Sequence, residues 1–472
     1  MMDREEKKGL IKKRKSDKDL SVIELAPWET KYLTAMENFA EVYPKSKDTI
    51  DYLYESGNLY FDKNRLDEAA KKFRQVIDIK PTSKQAANAA EGITDALAFR
   101  ADARFKTEEY DKALKDYVAL RDAAKDFYDQ KGLGNKKFKK KIYGYFEKSS
   151  AKVVETVFNG SKKDEAAKAV AADGYRTFVT DFPKSELAPA ALNTSAIYFF
   201  ESNNVAKSME ARQLMVAQYP ESKYYLEHMA KVGFNFESIA DFAQASDWYE
   251  RLFKEAPDYK DTKNALYRAA FFRKRMGQWE QAIKNKRDYM KTYPDEPLTV
   301  TLPIDIANVY REHGKLAKAA KEFEAYYQKP NKEATDENLF YARLQHAQIL
   351  GKQRKTTYQK KVWKYTIEAF DKYKEKMAKE EKPLSALVTT YVAEVMYNMA
   401  QKENNQYLAL KIDGPKGSAS PRYVQRVLNK QIKTKIEKLK GVRETYEKIV
   451  LVKGGKWSLD DENRLPWDGA VD

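Results

Sequence analysis

The stretch Met229–Pro257, MAKVGFNFESIADFAQASDWYERLFKEAP, sets Phe236, Ala245 and Tyr249 at +3, +12 and +16 from Gly233 and closes on a proline. Met229, Val232 and Phe236 share one face of a first helix, and Ala245, Tyr249 and Leu252 one face of a second. Gly and Ala sit where the two helices cross closely, and the aromatic and aliphatic residues fill the space on either side. Gly57, Tyr60, Ala69, Phe73, Val76 and Pro81 reproduce the same intervals. The prolines carry the pattern further: Pro183, Pro220, Pro257 and Pro294 stand 37 residues apart, as do Pro44 and Pro81. A fixed period of this length marks a helix pair that buries its apolar face by stacking on its neighbours. Function is therefore expected on a surface and not in a catalytic pocket.

Each proline ends a second helix, because the residue before a proline is pushed out of the helical region. Tyr43-Pro44-Lys45-Ser46, Phe182-Pro183-Lys184-Ser185 and Tyr219-Pro220-Glu221-Ser222 read as one device, a last buried aromatic, a break, and a serine able to cap the following helix. Partial copies follow in Ala196, Phe199, Met215 and Pro220, in Ala270, Gly277, Trp279, Ala282, Tyr289 and Pro294, and in Ala307, Tyr310, Gly314, Ala319, Phe323 and Pro330. Two copies depart at the second-helix aromatic, which is Arg212 in one and Lys286 in another.

This small-aromatic-Ala-aromatic-Pro pattern resembles the tetratricopeptide repeat family over about two thirds of the chain. The resemblance implies an all-α fold, a right-handed α-solenoid of antiparallel helix pairs. The long repeats closing on Tyr-Pro-Lys/Glu-Ser look like those of bacterial envelope repeat proteins, namely the Tol-Pal coordinator, the lipoprotein of the β-barrel assembly machine, and repeat proteins associated with gliding motility. The family presents the first helix of each pair toward a concave groove. By that resemblance the partner-binding groove is carried by Tyr54, Asn58, Asn193, Phe234, Asn264, Tyr267, Phe271, Lys274, Asn308 and Arg311. Aromatic area and asparagine hydrogen bonds suit an extended peptide. The aromatics suit packing between neighbouring helices equally, so the polar members are the stronger candidates.

The chain divides on this reading into a basic arm (1–20), a lead-in helix and first repeats (21–120), an irregular basic helical insertion (121–182), regular repeats (183–330), divergent long helices (331–450) and a tail (451–472). At 472 residues a solenoid needs no split into globular cores, since it grows by addition. Zero cysteines exclude disulfides and thiolate metal sites. No run approaches the roughly 18 apolar residues of a membrane span. The first twenty residues hold no apolar core of a signal peptide, so the expected location is cytoplasmic if the chain is complete, and periplasmic or envelope-associated if it is a fragment or mature form.

The net charge of +16 is uneven: residues 1–20, 121–150, 351–380 and 411–450 carry +3, +5, +6 and +7, so the remainder is net acidic. Lys136, Lys137, Lys139, Lys140 and Lys141 form the densest basic patch, with Phe138 and Tyr143 available for stacking. Lysine runs are more often solvated helix faces, so nucleic acid is disfavoured as a partner, and a peripheral anionic membrane stays open through the arm at 7–18. His228, His313 and His346 lie far apart and read as surface or groove-lining imidazoles, with no metal expected. Gly132-Leu133-Gly134 and Gly414-Pro415-Lys416-Gly417 lack the spacing of nucleotide fingerprints and read as turns. No catalytic constellation and no cofactor is expected; the reading is a non-enzymatic scaffold or adaptor for a protein or peptide partner. The alternative is a basic RNA- or anionic-lipid-binding accessory protein.

Overall fold

Residues 19–453 are described by a computed structural model, in which consecutive helices within each unit pack against one another. They fall into two compact units divided between Ile239 and Ala240. The N-terminal unit holds α1 (Pro27–Val42), α2 (Thr49–Asp62), α3 (Leu66–Ile79), α4 (Lys84–Lys106), α5 (Tyr110–Asp129), α6 (Lys136–Asn159), α7 (Glu165–Asp181), α8 (Ala188–Glu201), α9 (Val205–Gln218) and α10 (Tyr225–Ser238). The C-terminal unit holds α11 (Phe242–Glu255), α12 (Thr262–Arg275), α13 (Trp279–Thr292), α14 (Pro297–Glu312), α15 (Leu316–Gln328), α16 (Asp336–Lys352), α17 (Thr356–Lys379), α18 (Ala386–Leu408) and α19 (Pro421–Val452). Among the described residues there is no strand, and the fold is an all-α solenoid of antiparallel pairs. No helix among them is long and apolar enough to cross a membrane. The arm residues 1–18 and tail residues 454–472 lie outside the described residues.

The small-residue crossings act as the spacing predicts. Phe73 on α3 is buried between two glycines: a Cβ on Gly57 of α2 would lie 2.5 Å from its ring, and one on Gly92 of α4 2.6 Å from the opposite edge. Replacing either glycine displaces the ring that Ala69, Val76 and Ile93 enclose. In the C-terminal unit Phe323 of α15 fills the same role among Ala307, Ala319 and Ala342.

The turns differ from the sequence reading in one respect. The serines do not cap helices; the Oγ atoms of Ser46, Ser185 and Ser222 accept from the backbone N–H two residues on, at 3.3, 2.9 and 3.2 Å, and the helices start beyond. The tight turn that follows proline uses up the serine before the first helical residue. Tyrosine adds a tie between repeats: the Tyr219 hydroxyl donates to the Pro183 carbonyl at 2.9 Å, and Tyr293 to Pro257 at 2.6 Å. Tyr43, by contrast, is largely exposed, with no earlier helix pair among the described residues to cover it.

Within several pairs the chain reverses through one left-handed residue, Asn64, Glu108, Asn203, Gly277, Gly314 or Arg354. At Gly277 the N–H bonds to Lys274 and the next N–H, of Gln278, to Arg273 at 2.8 Å, which satisfies the last carbonyls of α12. Nothing lies within 4 Å of a Cβ built on Gly277, so the cost of Gly277→Ala is one of backbone conformation alone. We expect about 1–2 kcal/mol of lost stability, and a gain of similar size from Glu108→Gly, read as urea midpoints moving in opposite directions.

The segment 136–181 forms a helix pair, α6 and α7, packed between α5 and α8, and α5 itself runs unbroken across 120/121 to Asp129. Gly132 and Gly134 both take left-handed conformations in the turn before α6.

Candidate functional site

First helices of successive pairs touch one another, α2 with α4, α14 with α16, and α16 with α18, and along this face the predicted groove residues divide by type. The polar members are mostly engaged. Lys274 of α12 pairs with Glu312 of α14 at 3.0 Å. Asn308 of α14 accepts from the Tyr341 hydroxyl of α16 at 3.1 Å, and Arg311 donates to Gln345. Gln348 of α16 continues the row to Glu394 of α18 at 2.5 Å. These contacts tie each first helix to the next. In the N-terminal unit Asn193 is likewise taken, its Oδ1 lying 2.9 Å from His228 Nε2. Asn58 and Asn264 remain exposed.

The aromatic members are the open ones, Tyr54 excepted. Tyr54 is half-buried with its ring 5.7 Å from that of Phe73, so it belongs to the core. Phe234 of α10 is 44 % exposed and pairs with Phe200 of α8 at 6.3 Å between ring centroids. The Lys231 ammonium lies 5.8 Å from the Phe234 ring. On α12, Asn264, Tyr267 and Phe271 follow one another at spacings of three and four and so share one face. Phe271 is 45 % exposed and carries the Arg275 guanidinium at 5.2 Å. Exposed aromatic rings flanked by cations offer area for an apolar side chain and charge for an acidic neighbour.

The basic patch is smaller than its sequence suggests. Lys139 donates to the carbonyls of Phe127, Tyr128 and Gln130 at 2.8, 2.5 and 2.7 Å, closing the C-terminus of α5, and burial lowers its pKa. Lys141 pairs with Glu91 at 2.7 Å. Lys136, Lys137 and Lys140 stay free beside Tyr128 and Tyr143, whose rings are 5.2 Å apart. Phe138 is in the core, which removes it as a stacking platform.

Two of the three histidines are placed differently from the expectation, while His313 is exposed. His228 and His346 are buried, and His313 stacks on Trp279 at 5.4 Å. Both buried rings have lowered pKa values from desolvation, His228 to about 3. No group of three or more His, Asp or Glu side chains among the described residues is placed to hold a metal ion. Sequence reasoning missed that the two departures at the second-helix aromatic, Arg212 and Lys286, point inward and are buried. Lys286 reaches Asp305 at 3.2 Å, whereas among the described residues Arg212 pairs with no carboxylate and donates to Ser208 alone.

No family model matches the chain, and no curated protein matches it. Solved structures similar to it are tetratricopeptide repeat proteins. One, from Parabacteroides merdae, is 10 % identical over 60 % of this chain and 99 % of its own, with a TM-score of 0.27. The C-terminal part of a repeat-containing protein from Cytophaga hutchinsonii is 13 % identical over 58 % of this chain and 94 % of its own, at 0.26. A kinesin light chain with nearly identical repeats from Podosopora anserina is 11 % identical over 38 % of this chain and 93 % of its own, at 0.26.

Proposed function

We propose that the protein is a non-enzymatic scaffold that holds an extended peptide along the first-helix face within each unit. The observation that carries this is the row of exposed aromatics on that face, Phe200 and Phe234 in one unit and Tyr267 and Phe271 in the other. They stand on helices whose polar contacts already lock them together, so the face is rigid and binding needs little reordering. Asn264 lies one turn from Tyr267 and supplies a side-chain amide for a peptide backbone. The setting we infer is a bacterial envelope-associated assembly, on the likeness of the Tyr-Pro-Lys/Glu-Ser turns.

Selection of random linear peptides on the full chain at moderate and high salt tests the reading. Peptides with apolar or aromatic anchors should survive high salt, and Phe234→Ser or Phe271→Ser should weaken those held by the respective unit by about tenfold or more. Recovery only of polyacidic sequences, released by salt and indifferent to both changes, would refute the scaffold and favour the basic accessory protein.

A further inference from the structure

The C-terminal unit contains a second concave site, on the second helices and away from the first-helix row. A cavity of about 870 Å³ opens between α15, α16 and α17. Its wall carries four cations, Lys321, Arg343, Lys355 and Lys361, against one carboxylate, Glu324. Among the described residues none of the four is in an ion pair, whereas Lys364, Lys374 and Lys376 of α17 each meet a carboxylate within 4 Å. The Arg343 guanidinium lies 5.2 Å from the Tyr327 ring and 5.3 Å from that of Phe340, held flat by aromatics and uncompensated. Tyr358 and Tyr365 are 62 % and 59 % exposed at the rim. The floor is apolar, with Ala320, Leu350 and Val362. Positive charge around apolar and aromatic surface fits an acidic peptide that carries large aromatic side chains.

The chain supplies such a peptide. Residues 454–472, GGKWSLDDENRLPWDGAVD, hold five acidic residues against two basic ones in a chain that is otherwise strongly basic, and two of its six tryptophans. The segment begins beside the site. Val452, at the end of α19, packs on the cluster of Phe340, Phe370 and Tyr373, and Phe340 is one of the rings that Arg343 covers. Tethering a segment of this length at Lys453 puts it at an effective concentration on the order of millimolar near the site.

We propose that segment 454–472 docks in this cavity within its own chain, Trp457 or Trp467 against the rim tyrosines and Asp460, Asp461 and Glu462 among the four cations. The segment then competes with any outside acidic peptide. This does not depend on the first-helix groove, and its test uses other residues.

A fluorescent synthetic peptide of 454–472 is titrated by anisotropy into the full-length chain and into full-length W457A/W467A, at about 50 mM salt to limit screening. The variant should bind about tenfold or more tightly than the parent, because its cavity is no longer filled in cis. Adding K321E/K361E should abolish that gain, whereas K136E/K137E should not. Lys321 and Lys361 are exposed, so charge reversal leaves the core intact, and an unchanged thermal melt verifies it. Equal affinity for parent and variant, or indifference to K321E/K361E, would overturn the proposal. So would a parent that is dimeric where W457A/W467A is monomeric, since the segment would then occupy a second copy.

Discussion

Arg212→Met stabilises the protein, by about 1–4 kcal/mol, although it deletes a charge from a hydrogen-bonded site. Arg212 is 5 % exposed on α9, at the place where the first repeat puts Phe73. Its Nε donates to Ser208 Oγ at a long 3.3 Å, and the Ser208 hydroxyl donates in turn to the Ala196 carbonyl at 2.7 Å. Desolvation lowers its pKa from 12.5 to about 10, with Glu227 opposing from beyond ion-pair distance. That displacement corresponds to roughly 3 kcal/mol against the charged form. Methionine has an unbranched apolar chain of similar reach and adapts to an irregular space. The same substitution at Arg273 should have the opposite sign. Arg273 is equally buried, but it holds Glu250 through Nε at 2.9 Å and Nη2 at 2.8 Å, and it also pairs with Asp247. Hydrogen bonding to Glu250 raises its pKa above the usual arginine value. Arg273→Met strands Glu250 with Asn285 as its remaining partner, 2.7 Å away, and should cost about 3–5 kcal/mol. Urea midpoints and amide exchange within α9 and α12 measure both. If both changes moved stability the same way, the presence of a carboxylate partner would not be what separates the two arginines.

These two arginines also show where the sequence was legible and where it was not. Gly57, Phe73 and the proline interval disclose the helix pairs because packing at a crossing constrains residue size at one position, and size is visible in a sequence. Arg212 and Lys286 break that rule as buried cations, Lys286 meeting Asp305 on the following helix and Arg212 only Ser208 of its own. The left-handed turn residue escaped notice because Asn203, Glu108 and Arg354 adopt the conformation that Gly277 makes recognisable. On the first-helix face Lys274, Asn308 and Arg311 look like free polar groups within one helix, and only the fold shows that each meets a residue on the next first helix. The exposed rings of Phe234 and Phe271 read equally well as core. The basic cavity was invisible as a site, since its cations are spread from Lys321 to Lys361 and only the fold gathers them.

Below neutral pH the N-terminal unit should lose stability through one residue, His228. Its ring is fully buried on α10, with Nε2 donating to Asn193 Oδ1 of α8 at 2.9 Å and Nδ1 buried without a partner. The neutral ring fits this setting. A proton on Nδ1 would place a charge and an unpaired N–H in a dry site facing Arg212, with Glu227 next to it in sequence. Burial first, and Arg212 second, hold its pKa at about 3 instead of 6.5. Between those two values the unfolded chain binds the proton and the folded chain does not. The stabilisation is therefore complete above about pH 6.5 and drains by about 1.4 kcal/mol per pH unit as acid is added, reaching a loss of about 2 kcal/mol at pH 5. His346 is lowered in the same direction by its own burial, so the diagnostic quantity is the difference between parent and variant. His228→Gln retains an N–H donor for Asn193 and cannot titrate. It should be the less stable protein at pH 7 and close the gap by about 2 kcal/mol at pH 5. Parallel curves from pH 7 to pH 4.5 would show that the ring takes its proton without penalty. The helices loosened by acid, α8 and α10, are those that carry Phe200 and Phe234, so peptide held by the N-terminal unit should be released before any peptide held by Phe271.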